Sequence, residues 1–368
     1  MAAPPSVDRT RVLAHRLHVQ QLHRPAPTAA RDLAVVDLGV PDVPHGSAGL
    51  ALAARGADPG DEEGLTLVWA ARGAPHLHRD EELAALAAAL WPLSDADAGA
   101  RIRSSQVPGA AALGVEAVRT TAEAFAAVVT RRLPKGEVSA AVTARVPDAL
   151  GYDCGPCGAR HVAGTVFQLA ALAGGVRLHR AGPGTALEPL PGWPGVPARA
   201  AGTAELLRTW LHLHGPATAK EAAAWLGTTQ AHVRPVWPGG LATVSVAGRR
   251  AQLPEEDLDA LLGGPPARGV VRLLPPGDPW LQARDRELVL PDAAHRKQVW
   301  RVIANPGALL VDGEVAGTWR AKTSGRRLDV ALSPFAPLPR PVLRAVEEEL
   351  ALVAAARGAG DARLSVTG

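Results

Sequence analysis

Apolar residues recur every three or four positions through much of the first part of the chain, and this spacing predicts amphipathic helices. Helices are predicted over residues 12–22, 29–36, 47–55 and 80–90. Before the last of these, residues 65–70 and 76–78 predict two short strands around a turn. Helices followed by a hairpin are the element order of a winged helix, so residues 1–93 are interpreted as a first winged-helix unit.

The same order returns more clearly in residues 203–263. Thr203 can cap a helix over 204–213, Gly215-Pro216 turns the chain, and a second helix over 219–226 ends at Gly227. A short third helix and a hairpin over 241–246 and 249–253 follow. This segment is therefore predicted to be a second winged helix.

The remaining segments differ in character. Residues 94–180 predict a mainly helical connector with a Cys-Gly-Pro-Cys loop, and the density of Gly and Pro in 181–202, including Gly182 and Pro183, predicts a linker or an extended loop. Residues 264–368 alternate apolar and polar positions, with a tight turn at Asp312-Gly313 and a terminal amphipathic helix over 340–357. The predicted class is α+β, with tandem winged-helix domains, a helical connector and a C-terminal β-rich domain.

Composition limits the possible partners and location. The chain of 368 residues is 47% hydrophobic, but no stretch approaches the roughly 20 apolar residues of a membrane span, and the N-terminus lacks an apolar targeting segment. We expect a bacterial-type cytoplasmic protein that has no membrane partner. The net charge is only +3, so basicity alone does not indicate a nucleic-acid partner.

The charge is, however, unevenly distributed. Residues 203–262 contain five basic and six acidic side chains, whereas residues 267–330 contain eleven basic and seven acidic ones. Because phosphate binding depends on basic side chains, the C-terminal β unit is better suited than the second winged helix to hold a DNA backbone.

Three stretches resemble the AlkZ/YcaQ-like family of tandem winged-helix proteins. They are Leu211-His212-Leu213-His214-Gly215-Pro216-Ala217-Thr218 with Ala224-Trp225-Leu226-Gly227, then Asp278-Pro279-Trp280-Leu281-Gln282-Ala283-Arg284-Asp285-Arg286, and Val311-Asp312-Gly313-Glu314-Val315-Ala316-Gly317-Thr318-Trp319-Arg320. The best-known members are bacterial DNA glycosylases that excise bulky alkylated bases or unhook interstrand crosslinks. The resemblance implies double-stranded DNA as the partner and no nucleotide cofactor.

The resemblance also indicates where catalysis would occur. Active members use a Gln-x-Gln or Gln-x-Asp motif in the first winged helix, and alignment places Gly39-Val40-Pro41 at that position. Neither Gly39 nor Pro41 can orient water through a side chain. Asp42 is the candidate replacement base, and Asp37 is also near, although an Asp beside a proline is also common in turns.

Three functions therefore remain open. The chain is a DNA-binding protein that lacks the catalytic motif, an active monofunctional DNA N-glycosylase for bulky alkylated bases or crosslinks that uses Asp42, or a non-enzymatic transcriptional regulator or interaction scaffold. For each candidate DNA contact given below, the alternative interpretation is an ordinary solvent-exposed side chain that does not bind DNA. The candidates for DNA contact are Arg72, His76 and His78 on the first wing, Gln230, Arg234, Arg249 and Arg250 in the second winged helix, and Lys322, Arg326 and Arg327 on a C-terminal turn.

The only two cysteines are close together in the sequence. Cys154, Cys157 and His161 form a C-x2-C-x3-H pattern. The CxxC spacing suits a pair of zinc ligands or a redox dithiol, and plain packing is the third possibility. A structural zinc site usually has four ligands. We expect no cofactor, with a structural zinc as the alternative.

Overall fold

The computed structural model describes residues 3–181 and 184–367, so Gly182 and Pro183 of the expected linker lie outside the described residues. The helices are α1 (Arg9–Val19), α2 (Ser47–Ala53), α3 (Leu83–Leu90), α4 (Asp95–Ile102), α5 (Val115–Val128), α6 (Lys135–Thr143), α7 (Gly164–Ala171), α8 (Thr203–His214), α9 (Ala219–Leu226), α10 (Gln230–Val233), α11 (Leu258–Gly263), α12 (Arg286–Val289), α13 (Ala293–Val299) and α14 (Arg340–Ala356).

Most of the strand pairs among the described residues are antiparallel, as expected for the α+β class. The strands are β1 (Ser6–Val7), β2 (Val40–Pro41), β3 (Leu65–Trp69), β4 (Pro75–Arg79), β5 (Leu133–Pro134), β6 (Gly151–Cys154), β7 (Ala159–Val162), β8 (Val176–Ala181), β9 (Gly184–Pro189), β10 (Leu241–Val246), β11 (Arg249–Pro254), β12 (Val271–Leu274), β13 (Gly307–Val311), β14 (Glu314–Ser324), β15 (Arg327–Pro334) and β16 (Asp361–Val366). No helix among the described residues is long and apolar enough to cross a membrane.

The chain divides into two compact units. Unit 1 comprises residues 1–63, 208–221 and 239–368, and unit 2 comprises residues 64–207 and 222–238. Both units are assembled from separated stretches of sequence. The five segments expected from the sequence, 1–93, 94–180, 181–202, 203–263 and 264–368, stay predictions.

The largest sheet of unit 1 has the strand order β12-β13-β14-β15-β16. Asp312 and Gly313 have φ values of +51° and +83°, which suit a tight hairpin turn between β13 and β14, as the sequence predicted. The last pair, β15 and β16, is parallel, with α14 as the connection between them. Val330, Val346 and Leu350 belong to the core between this helix and the sheet.

A second sheet of unit 1 joins distant parts of the chain. Strand β1 pairs in parallel with β10, and β10 pairs with β11 in the hairpin predicted as the second wing. Ala217 adds an isolated antiparallel bridge to Gln252. The order α8, α9, α10, β10, β11 is that of the predicted winged helix.

The N-terminal part of unit 1 differs in detail from the prediction. Helix α1 begins early because the Asp8 carboxylate accepts a hydrogen bond of 2.7 Å from the Arg11 amide. The predicted helix over 29–36 is instead two 3-10 turns, Ala30–Asp32 and Ala34–Leu38. Here tertiary packing outweighs the helical spacing, because Leu33, Val35 and Val36 are all buried.

Unit 2 contains a helical core with hairpins around it. Phe125 and Phe167, whose ring centroids are 4.6 Å apart, lie in the core with α5 and α7. The expected linker is partly wrong in its local structure, because Gly184–Pro189 forms strand β9 and pairs with β8. Leu187 of β9 is buried, and Pro189 stands at the strand's end, where it interrupts no ladder.

Candidate functional site

The segment aligned with the family's catalytic motif is buried and has no polar side chain. Gly39 has a φ of +77°, a conformation that glycine adopts readily and that residues with a side chain rarely adopt. Val40 and Pro41 form strand β2 and are buried. The backbone itself therefore disfavours a glutamine at position 39.

Asp42 is held in a capping arrangement at the start of α2. Its Oδ1 accepts hydrogen bonds of 2.8 Å from the Gly46 amide and 3.1 Å from the Ala48 amide. Its Oδ2 lies 3.3 Å from Nδ1 of His45, and the residue is only 5% exposed. This burial and these hydrogen bonds are typical of a turn and capping residue, and the role of Asp42 as a base stays a prediction.

A histidine that the sequence reasoning missed lies in unit 1 with a carboxylate partner. Nδ1 of His212, at the end of α8, lies 2.8 Å from Oδ2 of Asp257, and Asp257 is buried. The hydrogen bond to Asp257 raises the pKa of His212, and the nearby Asp37 carboxylate also raises it. Because Nδ1 donates to Asp257, Nε2 is the ring nitrogen that can accept a proton from another group.

His15 of α1 belongs to the same group of titratable side chains. Burial lowers the pKa of His15 to about 4, although Asp257 opposes this shift. His212 and Arg16 add to the lowering through their charges. His15 is therefore neutral at pH 7, and His212 is the half-exposed member of the group, with a pKa raised by its hydrogen bond to Asp257.

Unit 1 also contains a cavity of about 810 Å³ whose lining includes more basic than acidic side chains. Three acidic residues, Glu221, Asp285 and Glu287, also line it. The guanidinium of Arg286 lies 5.0 Å from the ring centroid of Trp300, and partial burial lowers the pKa of this arginine. The six cationic residues in the lining are Arg9, Arg249, Arg284, Arg286, Arg296 and Lys297.

The cavity has the features of an anion site with an aromatic wall. Its cations outnumber its acids by two to one, and some are held in place by ion pairs, as Arg249 is by Glu221. A positively charged groove with a tryptophan can attract phosphates and stack a base. Part of this cavity could have been identified from the sequence, because Arg284, Asp285 and Arg286 belong to one of the stretches that carry the family resemblance.

The first predicted wing places its candidates differently. Arg72 is exposed and sits at a φ of +57° in the turn between β3 and β4. His76 and His78 are buried, at 6% and 2% exposure, and burial holds the pKa of His78 well below its usual range. The predicted contact of these two histidines with DNA does not fit this arrangement, because neither side chain reaches the surface.

The remaining predicted DNA-contact residues are mostly at the surface. In the second winged helix Gln230 is half-buried, while Arg234, Arg249 and Arg250 are exposed. Lys322, Arg326 and Arg327 are exposed at the β14–β15 turn. Arg327 pairs with Asp329 at 3.0 Å, and the Gly360 amide donates to the Arg326 carbonyl at 2.8 Å.

The structure brings the predicted metal ligands together. One ligand atom from each of Cys154, Cys157 and His161 lies within 4.8 Å of the other two. Cys154 is half-buried and Cys157 is exposed, and both thiols are free. This cluster lies in unit 2, whereas the basic cavity and the His212–Asp257 pair lie in unit 1.

A family model described as AlkZ-like, DNA glycosylase AlkZ-like, matches residues 30–356 of the chain. Among solved structures, the chain is similar to Streptomyces sahachiroi DNA glycosylase AlkZ, with a TM-score of 0.77 and 23% sequence identity over 98% of this chain and 100% of that one. At this identity the likeness establishes the fold. No sequence among the curated proteins matches this chain.

Proposed function

The chain belongs to the DNA glycosylase AlkZ-like family, and from this premise we propose that it binds double-stranded DNA through the basic cavity of unit 1. The observation that carries the proposal is the excess of six cations over three acids around the cavity, with Trp300 beside Arg286. Cationic side chains displace the counterions of DNA phosphates, and this displacement supplies most of the sequence-independent affinity.

The proposed DNA binding does not require the Gln-x-Gln or Gln-x-Asp motif of the family's active members. Gly39-Val40-Pro41 offers no side chain that could orient water, and the positive φ of Gly39 suits glycine alone. Asp42 is the weaker candidate for a replacement base, because its carboxylate is buried and caps the turn into α2. DNA binding thus does not depend on these residues.

A second candidate function, hydrolysis of an N-glycosidic bond, is favoured by the His212–Asp257 pair. In this reaction Nε2 of His212 takes a proton from water, the water oxygen bonds to C1′ of the sugar, and the bond from C1′ to the base breaks with its electron pair leaving on the base. Asp257 would hold the ring and stabilise its positive charge. The Asp37 carboxylate, near enough to raise the pKa of His212, would stabilise the oxocarbenium-like charge.

The DNA-binding proposal is tested with a labelled duplex at two salt concentrations. The double variant Arg249→Ala/Lys297→Ala should bind more weakly, and the slope of log affinity against log salt should fall by about 1.8, because each lost phosphate contact accounts for about 0.9. The matched control is Arg340→Ala/Arg344→Ala, which removes two exposed arginines from α14.

The outcomes separate the remaining functions. Absence of duplex binding at low salt would overturn the proposal and leave an interaction scaffold. A sequence-specific footprint on undamaged duplex would instead favour a transcriptional regulator. Equal salt slopes for the cavity variant, the control and the wild type would place the DNA contact elsewhere.

The second candidate is tested by release of a modified base from alkylated or crosslinked duplex. His212→Asn should abolish release, whereas Asp42→Asn should retain it, and His179→Asn is a half-exposed histidine control. If the wild type releases no base from bulky purine adducts or crosslinks, the protein is a non-catalytic DNA binder. If release depends on Asp42 and not on His212, the original assignment of Asp42 as the base is restored.

A further inference from the structure

We propose that Cys154, Cys157 and His161 form a zinc site in unit 2, with two thiolates and one imidazole as protein ligands and a water molecule in the fourth position. The site is separate from the basic cavity of unit 1 and does not depend on the proposed function. Among the described residues, these three side chains bring their ligand atoms within 4.8 Å of one another. Sulfur and imidazole nitrogen are the donors that zinc prefers.

The hairpin register explains why these side chains meet. Strands β6 and β7 pair antiparallel, with Tyr152 opposite His161 and Cys154 opposite Ala159. Because side chains alternate between the two faces of a strand, Cys154 and His161 lie diagonally on one face. Asp153 lies on the other face, opposite Arg160, so the nearest carboxylate in the sequence is directed away from the cluster.

The turn between the strands brings in the second thiol. Gly155–Cys157 forms a single 3-10 turn, and Gly158 follows with a φ of +60°. This left-handed glycine reverses the chain directly after Cys157, so that β7 can return along β6. A tight turn of this kind holds both thiols of the C-x2-C pattern on the side of the hairpin that His161 occupies.

The two ring nitrogens of His161 differ in their surroundings. Nδ1 of His161 lies 3.4 Å from the hydroxyl of Ser139 on α6, which leaves Nε2 as the nitrogen for a metal. Nε2 is screened from solvent and has no hydrogen-bond partner within residues 3–181 and 184–367. Histidines that bind metals commonly use their second nitrogen in this way to fix the ring.

Zinc would add a cross-link at the exposed end of a small sheet. Strands β6 and β7 form a two-stranded sheet whose Val162 packs in the core of unit 2, whereas the turn Gly155–Cys157 is exposed. On binding, each thiol loses its proton and becomes a thiolate, so zinc binding releases protons and strengthens at higher pH. The ion would join the turn to β7 and hold the hairpin against α6.

The test measures the metal directly. The full chain, loaded with Zn²⁺ and gel-filtered, should retain about one zinc per chain by elemental analysis, and Cys157→Ser should lose it. Ser139→Ala should weaken zinc binding by about 10- to 100-fold, because it removes only the group that orients His161. His179→Asn is the matched control, a half-exposed histidine in the same unit.

A second measurement needs no variant. Zinc added to the metal-free wild type should slow the reaction of its only two thiols with a disulfide reagent, and should slow tryptic cleavage after the exposed Arg160. Cobalt in place of zinc should give the visible absorption of a tetrahedral thiolate site, and azide should change it if the fourth ligand is water.

Three outcomes would overturn the proposal. The first is that the wild type retains no zinc, and the second is that Cys157→Ser retains as much as the wild type. The third is that the two thiols form a disulfide in the presence of zinc, seen as a mass loss of two hydrogens, which would indicate a redox pair. Duplex binding is measured on the same samples, so failure of the zinc site and failure of DNA binding are separate results.

Discussion

Nδ1 of His212 lies 3.0 Å from Oδ1 and 2.8 Å from Oδ2 of Asp257. A buried carboxylate that faces one nitrogen of a half-exposed imidazole fixes the proton on that nitrogen and stabilises the charged ring. The sequence separates the two residues by 45 positions, yet the fold brings their side chains into direct hydrogen-bond contact.

Asp257→Asn should lower the pKa of His212, because the hydrogen bond to the carboxylate is the largest cause of its elevation. The histidine ring signals, followed by NMR against pH, measure the change. Asp259→Asn is the matched control, an exposed acid two positions later, in the first turn of α11. An unchanged His212 titration in Asp257→Asn would show that the pair does not form in solution.

The same pair has a defined effect on stability. The folded pKa of His212 is raised above its ordinary value of 6.5. Its contribution to the free energy of unfolding is therefore fully present below about pH 6.5 and is lost as the pH rises through the folded pKa. Asp257→Asn should reduce this loss above pH 6.5, as measured by urea unfolding at several pH values.

His214 should have the opposite effect, in acid. Burial lowers its pKa to about 3, so below pH 6.5 the unfolded chain binds a proton that the folded chain does not. The free energy of unfolding should fall by up to about 1.4 kcal/mol per pH unit from this residue as the pH drops from 6.5 toward 3. His214→Gln should flatten that part of the profile. His45→Gln, an exposed histidine, should leave it unchanged.

Asp278→Ala should destabilise the protein by about 3–5 kcal/mol, because it leaves a buried guanidinium without its partner. Arg55 and Asp278 are both 0% exposed, and two hydrogen bonds of 2.9 Å join them. Asp278 also caps the turn at Trp280. Chemical unfolding measures the loss. Asp329→Ala, which breaks a surface pair with Arg327, should cost no more than about 1 kcal/mol. Similar losses in both variants would contradict the structure.

Lys322→Ala/Arg326→Ala should weaken duplex binding and reduce the salt slope, since both side chains are exposed at one turn of the basic C-terminal unit. If DNA crosses both this turn and the cavity, the reduction should add to that of Arg249→Ala/Lys297→Ala. A slope equal to that of the wild type would limit the DNA contact to the cavity. Equilibrium titration of labelled duplex with protein at several salt concentrations distinguishes these two outcomes.

The features that were predicted correctly from the sequence depend on residues close together in the chain. Asp312-Gly313 predicted its hairpin because the turn depends only on those two residues. The C-x2-C-x3-H cluster also lies within eight positions and needs only one hairpin to assemble. The α+β class and the family follow from repeated patterns of this kind, and both are confirmed.

Non-local features could not be predicted from one sequence. Nothing near Ser6 indicates a pairing with Ser245, and nothing near His212 indicates Asp257. His76 and His78 were expected at the surface. The alternation of side chains along a strand defines its two faces, but it does not show whether other elements pack on both of them. In β4 the residues at 76–78 are all buried. Similarly, the capping role of Asp42 follows from contacts such as those with the amides of Gly46 and Ala48, which fold back to it.

The discontinuous composition of the two units has a consequence for how the chain is made. Residues of unit 2 all lie within 64–238, so its core can close while later residues are still being added by the ribosome. In unit 1, β1 can pair with β10 only after a further 239 residues have been added, and β15 can pair with β16 only after α14 has been made. Until then β1 and one edge of β15 lack these partners, and unpaired strand edges of this kind are exposed to aggregation and to chaperones during synthesis.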